Sequence, residues 1–349
     1  MKVDYIIVGL GLAGLAFAER LTLAGKSFVI FEDESQKASK VAAGVYNPVI
    51  LKRFTPVWDA TDQLAIALPF YEQLAKRLHL TIDFPLDIIR PFASVEEQND
   101  WFAAADKPFF EKYMMDEVCT LDLPHIKAPY GYGRLTNTGL IATDVLLSAY
   151  RNDLLASQAL LQEEFEYDQL RIEASGISYK KIKAGTLVFC EGYGVVKNPF
   201  FNSVSLNEAK GELVIIHAPE LQLPFLLKAG VFVLPIGDDL YKIGATFNWK
   251  DKTQQPTDAG KQELLTKFEK ICSAPYSVKE QLAGIRPTVI DRRPILGKHT
   301  THPHLAILNG LGTRGVMLAP KMAQLLYNQL EHQVKLPVEV DVARFDKTN

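Results

Sequence analysis

The sequence predicts an α/β fold that opens on a parallel β-α-β unit and later turns to a mostly antiparallel sheet. Three observations carry this. Val3, Tyr5, Ile6, Ile7 and Val8 form a near-continuous apolar run, as a parallel strand buried on both faces does. Gly9, Gly11 and Gly14 follow at once in the spacing G-x-G-x-x-G. Far downstream, 211–218, 231–237 and 240–247 alternate like antiparallel strands.

The N-terminal unit is complete. Leu12, Leu15, Ala16 and Leu23 recur at helical spacing after the glycines, and Gly25 stops the helix. A second apolar run, Phe28 to Phe31, ends in Glu32. Each part has a physical role in holding a dinucleotide. Gly9 permits the tight turn, Gly11 lets backbone approach a pyrophosphate, and Gly14 lets helix and strand pack closely. The helix N-terminus, at Leu12 and Ala13, offers N–H groups and positive dipole to phosphate. Glu32 can accept from both ribose hydroxyls and repels a 2′-phosphate, which argues against NADP. Asp33 can touch the adenosine, while Glu34 reads as solvated.

No second G-x-G-x-x-G follows, so no second dinucleotide domain delivers a hydride from a nicotinamide. An extended cofactor such as FAD needs further contacts down the chain, and the C-terminal region offers them. Residues 305–308 read as a strand, 309–315 as a glycine-rich loop and 316–330 as a helix with Pro320 in its first turn. Gly312, Thr313, Arg314, Gly315 and Val316 form its entrance. A helix N-terminus there would stabilise negative charge at the flavin N1–C2=O edge.

Composition narrows the class. The 349 residues are 48% hydrophobic and 23% charged, with a formal net charge of -3 and no block of like charge. That gives no nucleic-acid footprint. Cys119, Cys190 and Cys272 are scattered and odd in number, which favours a reducing compartment over a disulfide framework. The first apolar stretch is too broken for a membrane span, so a cytoplasmic protein without a membrane span is expected. His299, His302 and His304 cluster in "KHTTHPH", but Pro303 and the threonines read as an exposed loop, and no metal is expected.

At this point the chain resembles the D-amino-acid oxidase superfamily of flavoenzymes, which includes glycine oxidase. "SKVAAGVYNP" (39–48) resembles the family's S-x-x-A-A-G segment, which passes the diphosphate and flavin. "TLVFCEGYG" (186–194) resembles its V-V-x-A-x-G strand. The most specific matches are the hairpin "FVLPIGDDLYKIGATFNW" (232–249) and the block "GIRPTVIDRRPILG" (284–297). The resemblance implies an oxidoreductase holding FAD with Ser39, Ala42, Ala43, Gly44, Val45, Cys190, Gly192 and Gly284 besides the residues above. It implies that Arg286 grips a substrate carboxylate; a structural ion pair with Asp291 is the alternative. Phe232 stands where some relatives carry a tyrosine over the substrate, and Tyr46 is a further candidate catalytic residue. No cysteine matches the covalent flavin attachment of some sarcosine oxidases, so FAD is expected to be non-covalent, with Cys190 a small buried thiol.

The implied reaction is oxidation of the C–N bond of an amino acid or N-substituted glycine, by hydride transfer from Cα to flavin N5, with oxygen or another electron acceptor completing the cycle. The loop "GLGTRG" is closer to the oxidase domain of the enzyme that trims carboxymethylaminomethyl-uridine in tRNA. A tRNA-borne substrate therefore stays open, as does a flavin-binding protein without turnover. The expected architecture is a Rossmann-like FAD-binding domain from 1–55, 138–203 and 283–349. A discontinuous α+β substrate domain is expected from 56–137 and 204–282. Its first helix, marked by Leu64, Ala67, Tyr71 and Leu78, is expected to kink or break at Pro69.

Overall fold

The computed structural model describes residues 1–345. Its first sheet has a parallel core of five strands in the order Leu160–Leu161, Phe28–Phe31, Lys2–Val8, Ile182–Phe189 and Leu305–Asn309. The antiparallel hairpin Leu170–Glu173 and Gly176–Tyr179 extends it, and Ile295–Lys298 pairs with Leu305–Asn309. Ile6, Ile7, Leu187 and Val188 are fully buried, because helices and aromatic side chains cover both faces. The helices Leu12–Leu23 and Gly315–His332 pack side by side over one face. Phe31, Phe165 and Tyr179 cover the other with edge-on and stacked rings.

The second sheet has seven strands: Ser277–Arg286, Ala209–His217, Leu240–Gly244, Phe232–Pro235, Leu226–Lys228, Ile88–Pro91 and Tyr132–Leu135. All its pairings are antiparallel except that of Leu226–Lys228 with Ile88–Pro91. One face packs on the helix Asp258–Glu269 through Leu264 and Phe268. The other turns toward the first sheet.

The structure departs from the expected segmentation in two places. The strand Ser277–Arg286 is continuous and pairs with Ala209–His217 up to Ala209↔Arg286, so a boundary at 283 would cut a ladder in progress. Two strands of the second sheet come from 56–137, the segment read as one substrate domain with 204–282. The helix Ala60–Leu78, read as part of the substrate domain, buries Leu64, Ala67, Tyr71 and Leu74 in one core with Leu15, Met322 and Leu326. The Tyr71 hydroxyl donates to the Val316 carbonyl at 3.0 Å. This helix runs on through Pro69 without the expected break, because its apolar stripe is anchored on both sides of the proline.

Candidate functional site

A cavity of about 870 Å³ opens between the two sheets, at the C-terminal ends of the parallel strands. Gly9 sits there at φ +97°, and a Cβ on it would approach the Cys190 carbonyl oxygen to 2.6 Å. A Cβ on Gly14 would overlap the Gly9 carbonyl oxygen. Gly14 thus stands behind the cavity as the packing point of helix on strand, while Gly9, Gly11, Leu12 and Ala13 line it. No side chain caps the helix at Gly11; Ser39 Oγ accepts from the Leu12 N–H at 3.2 Å.

Glu32 closes the same end. Its carboxylate accepts from the backbone N–H groups of Leu10 and, at 2.8 Å, Glu34. Burial pushes its carboxyl up, and these two bonds oppose the shift. Asp33 lines the cavity beside it. Ala42, Ala43, Gly44 and Val45 form the next part of the wall, with Cys190 and Gly192 across from them. Burial pushes the Cys190 thiol up, so it stays protonated and inert.

The C-terminal loop forms another wall with Gly312, Thr313, Arg314, Gly315 and Val316. Gly312 has φ +57° and donates to the Pro287 carbonyl at 3.2 Å. No side chain caps the helix Gly315–His332, so its first N–H groups are available to a ligand. Burial pulls the Arg314 guanidinium down, with Arg292 adding like charge.

The second sheet supplies the remaining wall with Phe232, Gly284 and Arg286. Arg286 Nη1 donates to the Thr246 carbonyl at 3.1 Å, and the guanidinium carbon lies 4.3 Å from the Phe247 ring centroid. A Cβ at Gly211 would overlap the guanidinium, so a glycine is required beneath it. Among the described residues no carboxylate pairs with Arg286, and burial pulls its guanidinium down to about 10. Asp291, the alternative partner, is bound instead by Arg344, Nε to Oδ2 at 2.9 Å.

Tyr46 does not join the site. Val45 lines the cavity, and successive side chains of a strand point to opposite faces. The Tyr46 ring therefore points away, and its hydroxyl donates to Asp83 Oδ1 at 2.9 Å. The clustered histidines have structural partners: His299 Nε2 lies 3.0 Å from the Phe200 carbonyl, and His304 Nδ1 lies 2.8 Å from that of Gly185.

Two ionisable residues stand out among those of the cavity wall that sequence reasoning missed. One is Lys228, a single cation in the apolar stretch "PFLLKAGVFVLP". The other is Glu191, the acid that follows a buried strand. It accepts from the Tyr167 hydroxyl and, at 2.8 Å, from Asn198 Nδ2. Burial pushes its carboxyl up to about 7. The folded chain therefore keeps a proton there that the unfolded chain releases near the ordinary 4.5. Stability is expected to fall as pH rises from about 4.5 to about 7, by an amount on the order of 3 kcal/mol. Glu191→Gln removes that slope. Denaturant melts of both proteins at pH 5 and pH 8, at matched FAD content, measure it; parallel pH dependence would show that Glu191 is ionised throughout.

The fold and the cavity define a dinucleotide-binding protein with cations in the wall supplied by the second sheet. The family described as DAO, FAD dependent oxidoreductase, matches residues 4–329. The chain belongs to this family and is an FAD-dependent oxidoreductase. It is similar to the tRNA 5-methylaminomethyl-2-thiouridine biosynthesis bifunctional protein MnmC of Marinobacter nauticus, at 23% identity over 94% of this chain and 55% of that protein. The chain thus spans little more than half the length of that relative. It is also similar to glycine oxidase of Bacillus licheniformis, at 22% identity over 94% of this chain and 93% of that one. The structure of glycine oxidase from Geobacillus kaustophilus superposes with a TM-score of 0.79 at 22% identity, covering 100% of this chain and 99% of that one. Among the described residues, no helix is long and apolar enough to cross a membrane.

Proposed function

We propose that this chain oxidises the C–N bond of an amino acid or N-substituted glycine. The observation that carries the reading is Arg286: a half-buried guanidinium that lines the cavity, stacks on Phe247 and has no acidic partner among the described residues. A guanidinium in that state is a planar fork ready for a carboxylate. Bound FAD supplies the acceptor for a hydride taken from the substrate Cα. The chain's own part is positioning. Gly9, the helix after Gly11 and Glu32 hold the diphosphate and ribose of FAD; Gly312 to Val316 border the cavity where the flavin edge would lie. Arg286 fixes the carboxylate, and Phe232 and Leu213 give an apolar wall that sheds water from the reacting carbon. Well-oriented reactants gain roughly 7 kcal/mol or more from such positioning. Cys190, the cysteine in the cavity wall, is buried and protonated, which supports FAD held without a covalent bond.

A second reading places the same glycine-like group on tRNA. Two features favour it: the similarity to the MnmC proteins, and the exposed, stacked rings of Phe247 and Trp249. Their centroids are 6.0 Å apart, and such a pair suits a planar base.

Anaerobic reduction of the FAD-loaded protein tests both. Amino acids and N-methyl glycines are expected to bleach the flavin, and their decarboxylated analogues are not. Bleaching by tRNA bearing carboxymethylaminomethyl-uridine, with none by free amino acids, would replace the first reading by the second. Bleaching by carboxylate-free amines alone would defeat both.

A further inference from the structure

The cavity wall holds a cation that the reading above does not use. Lys228 ends the strand Leu226–Lys228 and lines the cavity. Its Nζ lies 5.8 Å from the Phe232 ring centroid. The neighbouring cations each have a carboxylate: Arg90 bonds Glu97, and Lys267 bonds Glu263 at 2.6 Å. Among the described residues, Lys228 has none. Burial, with like charge from Arg90 and Lys267, pulls its ammonium down to about 8. A half-buried cation without a carboxylate carries a desolvation cost, and an anion brought by a ligand offsets it.

The ladder places Lys228 relative to Arg286. Lys228 pairs with Phe232, Phe232 with Gly244, and Gly244 with Leu213. Directly paired residues share a face, so Lys228, Phe232 and Leu213 look into the cavity, the last two covering Gly244. The Arg286 guanidinium lies over Gly211 and bonds Thr246, two residues further along those last strands. Gly211, under the guanidinium, lies three strands and two residues from Lys228, a backbone separation on the order of 16 Å that the Lys228 stem, reaching over Phe232, narrows. The floor between them is glycine, leucine and phenylalanine, without charge.

We infer that the substrate carries two carboxylates flanking the reacting C–N bond, one on Arg286 and a second, at the far end of the nitrogen substituent or side chain, on Lys228. The inference rests on the proposed function for the place of the first carboxylate. Its test reads binding rather than turnover, so the two can fail separately.

Thiodiacetate and (ethylthio)acetate have matched lengths and no C–N bond to oxidise. Their dissociation constants are measured from the perturbed flavin absorbance of the FAD-loaded protein. Wild type is expected to bind the diacid at least about tenfold more tightly. Lys228→Met should bring that ratio below about threefold, and Lys228→Arg should keep it. Lys228→Gln replaces Met if Met lowers the FAD content. A wild-type ratio near one, or an unchanged ratio in the Met or Gln variant, overturns the inference. If Lys228→Met collapses the ratio while Arg286→Ala weakens neither ligand, the Arg286 reading fails and the Lys228 site stands.

Discussion

Arg286→Ala is expected to lower kcat/KM for the best amino-acid reductant by roughly 2–4 kcal/mol, about 30- to 700-fold, while FAD content and melting temperature stay near wild type. The structure makes that separation sharp. The guanidinium touches the Phe247 ring and one backbone carbonyl, that of Thr246, and no carboxylate among the described residues is left unpaired when it goes. Arg286→Lys keeps the charge but loses the fork and much of the ring contact, so it should fall between the two. Acetate should protect wild type against reduction and leave the Ala variant unprotected. Stopped-flow bleaching beside thermal melts measures all of this. If the Ala variant bleaches at the wild-type rate, Arg286 does not hold the substrate. If it loses flavin and stability together, the residue is scaffold.

Gly14→Val is expected to cost the cofactor. Its Cβ would overlap the Gly9 carbonyl oxygen, and Gly9 is itself confined by the Cys190 carbonyl. The helix must therefore move off the strand, and its N-terminus leaves the diphosphate. Overpacking against backbone costs about 3 kcal/mol or more, so FAD affinity should drop at least roughly 100-fold. Gly25→Ala is the control. Gly25 has φ +67° with open space around it, so alanine strains the chain by about 1 kcal/mol and leaves FAD affinity alone. Titration of the apo-proteins with FAD compares the three. Wild-type affinity in Gly14→Val would place the diphosphate elsewhere.

What the sequence made legible was local or periodic. The unit from Val3 to Glu32 needs only an apolar run, three spaced glycines and a helix, all within thirty residues. The C-terminal strand, loop and helix were readable for the same reason. Arg286 was found by resemblance, and its freedom from Asp291 only by structure, since Arg344 lies 53 residues away from that acid. The strands Ile88–Pro91 and Tyr132–Leu135 have four residues each, too few for alternation to declare itself, and they join the sheet through pairings far apart in sequence. Tyr46 was misplaced because a one-residue step along a strand exchanges faces. Lys228 was passed over because a lysine in an apolar run reads as a surface residue until the ladder shows which face it is on.

The strand Ser277–Arg286 has a consequence beyond the residues it carries. Its Gly284 lies against Ala38, where a Cβ would come within 3.2 Å of that residue's Cα. Its last residue, Arg286, precedes Pro287, whose carbonyl holds Gly312 of the C-terminal loop. One strand therefore touches the segment before Ser39, carries Arg286 and runs into the residue that holds the loop at the cavity's other wall. Any ligand that shifted this strand at one contact would change the work of binding at the others, and by reciprocity they would change it in return.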